Sequence, residues 1–151
     1  MDCKILDQKG GRRTFALILK TGDEVMSCLS AFATRQRVAA AQITAIGALS
    51  DLVLKYFDWD KKEYLDIAVD EQVEVASLVG DVALDPKGNP AIHVHLVVGK
   101  RNGSAMAGHL GKAHVRPTLE VIVNESPEYL QKVHDPETGL ALIRPTERQH
   151  A

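Results

Sequence analysis

Pro90-Ala91-Ile92-His93-Val94-His95-Leu96-Val97-Val98-Gly99 is the stretch from which the rest of the chain can be read. Ile92, Val94 and Leu96 alternate with His93 and His95, the period of two that marks a strand with two unlike faces. The histidines therefore share one face. Residues i and i+2 on a strand lie about 6.6 Å apart at Cα, from roughly 3.3 Å of rise per residue, so both imidazoles can reach one ion at Zn–N distances of about 2.0 Å. A His-x-His pair on a strand is also compatible with a merely polar or interface face, and the spacing alone leaves the two readings open. The segment that follows holds Gly99, Gly103, Ser104 and Gly108 and is suited to turn the chain back. That makes His109 the candidate third ligand, and three neutral imidazoles with an open position are the donor set of catalytic-type zinc sites.

Working outward, 73–79 alternates as a further strand, and the turn-forming run Asp85-Pro86-Lys87-Gly88-Asn89-Pro90 leads from it into the histidine strand. From Ala41 the pattern is again β. The segments 52–57 and 64–69 flank the polar connection Asp58-Trp59-Asp60-Lys61-Lys62-Glu63 and read as a hairpin. Trp59 on that turn is placed either near a subunit contact or as a cap on the sheet. Earlier in the chain, the apolar run 15–19 reads as a strand buried on both faces. Thr21 followed by Glu24 offers a capping box for a helix whose apolar stripe is Val25, Leu29, Phe32 and Ala33. Arg35 and Arg37 suit the negative end of that helix.

In the strand 115–123, Pro117 cannot donate to a ladder, so the strand is expected at an edge or with a bulge. His114 and Glu120 are about 20 Å apart at strand rise and cannot both touch one ion. Glu120 is the catalytic candidate, as a carboxylate ligand or general base beside a metal, or else it is an ion-pair partner of Arg13 or Arg116. In the tail, 127–133 reads as a short helix with Ser126 as N-cap, 140–143 as a last strand, and 144–151 as a flexible end; His134 and His150 are read as solvated. Short strands joined by hairpins around one helix argue for an α/β fold of the α+β kind, a mostly antiparallel sheet with one main helix packed on it.

Composition sets bounds on function. The 151 residues match one domain with one core. Lys plus Arg number 18 against 20 Asp plus Glu, a formal charge of −2, which weighs against nucleic-acid binding by this chain alone. Cys3 and Cys28 form neither a disulfide framework nor a Cys-x-x-Cys pair. With no leader-like start and no run of 18 apolar residues, a cytoplasmic protein with reduced thiols and no membrane contact is expected. No nucleophile triad is visible, and Gly108-His109-Leu110-Gly111 lacks the Lys-Ser/Thr of a phosphate-cradling loop.

Several motifs in order carry a family resemblance: Val75-Ala76-Ser77-Leu78-Val79-Gly80-Asp81, then Gly88-Asn89-Pro90-Ala91-Ile92-His93-Val94-His95, Gly108-His109-Leu110, and Val115-Arg116-Pro117-Thr118-Leu119-Glu120-Val121. Gly11-Arg12-Arg13, Ile46-Gly47-Ala48 and Asp135-Pro136-Glu137-Thr138-Gly139-Leu140 extend it over nearly the whole chain. Together they resemble the plant and prokaryote conserved (PPC) domain, the module that plant AT-hook nuclear proteins carry, here in its prokaryotic stand-alone form. The resemblance implies a compact homotrimeric domain with a divalent metal, zinc by ligand type, on His93, His95 and His109. It also implies an interaction or regulatory role with a protein partner or DNA. The minor-groove hook Arg-Gly-Arg-Pro is missing from this chain. By fold-level analogy the architecture is similar to that of acetolactate decarboxylase, which leaves a second expectation, a small three-histidine zinc lyase or hydrolase acting on a small acid.

Overall fold

The protein is described by a computed structural model over residues 1–145. Among these residues, nine strands and one helix follow the order β1 (Asp2–Lys9), β2 (Arg12–Lys20), α1 (Val25–Gln36), β3 (Ala40–Asp58), β4 (Glu63–Val69), β5 (Val73–Leu84), β6 (Pro90–Gly99), β7 (Ala105–Glu125), β8 (Lys132–His134) and β9 (Ala141–Ile143). All pairings between these strands are antiparallel. The main sheet runs β1-β2-β7-β6-β5-β3-β4, and β7 also pairs with β3, so the circuit β3-β5-β6-β7 closes on itself. Closure follows from the length of β3 and β7, which are long enough to serve three neighbours each.

The sheet's inner face and the helix enclose the core. Phe15, Leu17 and Leu19 of β2, Val94, Leu96 and Val98 of β6, and Leu119, Val121 and Val123 of β7 are buried at every second position, as a half-solvated antiparallel sheet requires. The expectation that 15–19 is buried on both faces is therefore corrected: Ile18 lies exposed on the far side. Val25, Leu29, Phe32 and Ala33 form the buried stripe of α1, and Phe32 meets Phe15 edge-on at 5.0 Å between ring centroids.

The helix begins later than its capping box suggests. Glu24, not Thr21, is the N-cap, and its carboxylate accepts from the amides of Met26 and Ser27 at 3.1 and 2.7 Å. Thr21 and Gly22 are spent in the preceding turn, where Gly22 N–H donates to Val115 O. Arg37 closes the helix in a left-handed conformation, its amide turned back to Ala33 and Thr34.

Two other expectations change. Segment 127–133 is not helical, because its backbone bonds go to the sheet: Leu130 N–H donates to Ala39 O and Leu84 N–H to Leu130 O, after which the chain enters β8. Of the expected flexible tail, Arg144 is held by Gln131 O at 2.9 Å, whereas 146–151, including His150, fall outside the described residues. β1, exposed along its whole length, left no burial pattern in the sequence.

Pro117 lies within the sheet rather than at its edge, since β7 has partners on both sides. The alternative of a bulge is what occurs. Between Leu119↔Gly47 and Val115↔Leu49 the register slips, β7 spending four residues against two of β3. Gly47, at φ 151°, allows this close approach, because a Cβ there would run into Thr118 O and Leu119 Cα. Among the described residues no helix is long and apolar enough to cross a membrane.

Candidate metal centre

The β6–β7 hairpin builds the site. Val94, Leu96 and Val98 are drawn into the core, which leaves His93 and His95 on the opposite face. A turn over 100–104 returns the chain so that His109 lies directly opposite His95. The loop expected as far as Gly108 is thus shorter, because β7 already starts at Ala105.

The three rings form a nearly equilateral triangle, with centroids 5.0 Å (His93–His95), 5.1 Å (His93–His109) and 5.2 Å (His95–His109) apart. One nitrogen from each lies within 4.8 Å of the others, and the Nε2 atoms of His93 and His95 are 3.1 Å apart. Ligands about 2.0–2.1 Å from a tetrahedral cation stand about 3.3 Å from one another, so the 3.1 Å between His93 and His95 fits two ligands of a single ion. His109 Nδ1 is buried with no hydrogen-bond partner among the described residues. Leaving such a nitrogen unsatisfied costs about 1–3 kcal/mol.

Burial favours the neutral form of His109 and His95. Burial pushes His109 down to about 4, helped by positive charge from His93, His95, Lys55 and Lys132. His95 is lowered as well, by burial first and then by His93. At neutral pH a cation would therefore meet unprotonated nitrogens at His109 and His95, the form that ligates.

Around the triangle are residues that the sequence reading did not single out. Asp81, opposite His93 in the β5–β6 pair, places Oδ2 3.5 Å from His93 Nδ1, where it can orient the ring. Its Oδ1 is buried without a hydrogen bond, 3.9 Å from Lys132 Nζ. Tyr64 of β4 lies over His109 with ring centroids 5.1 Å apart and rests in turn on Phe57 at 5.3 Å. Lys55, opposite His109 on β3, is paired with Asp66 at 2.5 Å. A cavity of about 380 Å³ opens beside His93 and His109, between Tyr64, Ile92, Lys132 and the β9 side chains. The register of the β5–β6 turn was the available signal for Asp81; Lys132 had none, since it belongs to the segment expected to be helical.

Glu120 is not brought to this cluster. It lies eleven residues beyond His109 on β7, exposed, opposite Ile18 and Ile46. Arg13 pairs with Glu125 rather than with Glu120. His114 is engaged by Asp51 at 2.8 Å, and Ser50 donates to the same carboxylate at 2.7 Å. This hydrogen bond from His114, reinforced by Ser50, lowers the Asp51 carboxyl. His134 is exposed on β8. Trp59 is partly exposed on the β3–β4 turn, covered by the Lys62 ammonium at 3.3 Å and edge-on to Phe57.

Known proteins share this arrangement of elements. A PPC protein from Pyrococcus horikoshii is 29% identical, with a TM-score of 0.82 over 90% of this chain and 94% of its own. A protein from Archaeoglobus fulgidus described as metal-containing is 32% identical, with a TM-score of 0.81 over 96% and 99%. A Staphylococcus aureus protein similar to alpha-acetolactate decarboxylase, at 12% identity and a TM-score of 0.56 over 77% and 53%, shares the fold alone. No curated protein matches the chain. Residues 6–127 match the family described as the Plants and Prokaryotes Conserved (PCC) domain. That match takes in β2 to β7, the three histidines and the long paired strands that carry them, and the chain belongs to this family.

Proposed function

We propose that the protein holds a divalent cation, zinc by ligand type, on His93, His95 and His109, and works as a homotrimeric interaction or regulatory module. The observation that carries the metal reading is the convergence of three imidazole nitrogens within 4.8 Å from two adjacent strands. Imidazole donors suit zinc, and also copper, nickel and iron. The metal-containing Archaeoglobus relative supports the reading. Metal content of the purified wild type against His95→Ala tests it; equal occupancy would remove the site.

The trimer is supported by the outer face of the sheet. Ile46 and Val79 are 60% and 51% exposed, and Ile18 and Val97 continue the same apolar face. Contiguous apolar surface of this kind marks an association site. Glu120 lies within it, opposite Ile18 and Ile46. Sedimentation of the purified protein distinguishes a trimer from a monomer.

A DNA association is supported by a 26% identical relative from Bacteroides thetaiotaomicron that is provisionally named DNA-binding. The formal charge of −2 opposes it. Binding measured at 50 and 200 mM salt decides, because phosphate contacts weaken steeply over that range. The cavity beside the histidines favours a second reading, a small metal-dependent lyase or hydrolase. Turnover of 2-keto and 2-hydroxy acids that disappears with chelator would establish it.

A further inference from the structure

We propose that the cavity beside the three histidines takes a small organic carboxylate, its head between the histidine cluster and the Lys132 ammonium and its apolar tail on Ile92, Leu140 and Leu142. The inference rests on the metal reading above and assigns the ligand of that site.

Lys132 is the first reason. It is 9% exposed and is the one buried charged residue among the described residues. Burying an ammonium is costly unless a partner compensates it. Its nearest carboxylate oxygen, Asp81 Oδ1, is 3.9 Å away, beyond hydrogen-bond distance. No hydrogen bond of this ammonium is present among the described residues, and the side chain lines the cavity together with His93 and His109.

Charge is the second reason. A divalent cation on neutral imidazoles brings +2, Lys132 adds +1 and Asp81 subtracts 1. Lys55 is already neutralised by Asp66. The surplus positive charge in a half-buried site selects an anion.

The wall is the third reason. Ile92, Leu140, Leu142, Ile143 and the Tyr64 ring also line the cavity, which favours an anion with a hydrocarbon portion over an inorganic one. The volume of about 380 Å³ suits a small molecule.

The test uses the full chain loaded with cobalt(II), whose visible spectrum reports a new ligand, titrated with isovalerate and with acetate. In the wild type isovalerate is expected to change the spectrum with an apparent Kd at least tenfold below that of acetate. Lys132→Met is expected to take up the same amount of cobalt and to bind isovalerate at least tenfold more weakly. Lys132→Gln replaces it if the methionine variant does not fold. Leu142→Ser, at a partly exposed position, is expected to weaken isovalerate at least threefold and to leave acetate unchanged. Equal isovalerate binding by wild type and Lys132 variants, or equal binding of the two acids by the wild type, overturns the proposal while leaving the metal site standing. A wild type that takes up no cobalt overturns the metal reading, and the carboxylate site with it.

Discussion

Replacing His95 separates a ligand from a stabilising side chain, because the two roles respond to opposite conditions. In chelator, His95→Ala is expected to melt within about 2 °C of the wild type. His95 is exposed and, among the described residues, its hydrogen-bond contact is with His93 alone, and surface substitutions of this kind stay within about 0.5 kcal/mol. With zinc the difference opens. A ligand at 100 times its Kd that binds only the folded state stabilises by about 2.7 kcal/mol. For a domain of this size about 1 kcal/mol shifts the melting temperature by roughly 2–4 °C, so the wild type should rise by about 5–11 °C. If loss of one of three ligands weakens zinc about 100-fold, the variant at the same concentration sits near its own Kd. Its stabilisation is then about 0.4 kcal/mol and its shift about 1–2 °C. Differential scanning fluorimetry with and without zinc, under reducing conditions so that Cys3 and Cys28 stay as thiols, measures both numbers. A variant that gains as much from zinc as the wild type, or a wild type that gains nothing, would refute the argument that these nitrogens share one ion.

Glu24→Ala should cost about 1 kcal/mol at pH 7, the usual worth of an N-cap. Burial drives the Glu24 carboxyl up, but hydrogen bonds from the Ser27 hydroxyl and from the amides of Ser27, Met26 and Ala113 outweigh it and hold the group below its ordinary value of 4.5. A folded-state pKa lowered in this way gives stability that is present above pH 4.5 and lost as pH falls through the folded value. Urea melts of wild type and variant should therefore converge in acid, and a gap independent of pH would refute the cap assignment. Gly80→Ala should destabilise by about 1–3 kcal/mol and weaken zinc binding, because a Cβ at Gly80 collides with Val94 Cγ1 and His93 O on the ligand strand. Gly99→Ala, with nothing within 4 Å of its Cβ, is the control measured in the same titration. Ile46→Asp places a charge in the exposed apolar face and should lower the sedimentation coefficient from that of a trimer toward that of a monomer; an unchanged trimer would locate the interface elsewhere.

The relation between chain and fold is clearest where burial repeats along a segment. The alternation of 92–98 could be read directly, because one face of β6 is core and the other is open, and the stripe of α1 could be read for the same reason. The His-x-His spacing and the glycines after it were enough to nominate His93, His95 and His109, since strand geometry and a turn are local. What escaped the sequence was non-local. The bonds of Leu84 and Leu130 turn 127–133 from an expected helix into an extended segment, and the competing turn at Gly22 moves the helix cap from Thr21 to Glu24. The closure of β7 on β3 makes Pro117 an interior bulge. Asp81 and Lys132 reach the histidine face only because β5 pairs with β6 and the tail crosses the cavity. Short-range alternation thus determined which side chains could act together, whereas tertiary pairing decided what charge and surface surround them. A register between distant strands depends on contacts that no stretch of sequence contains by itself.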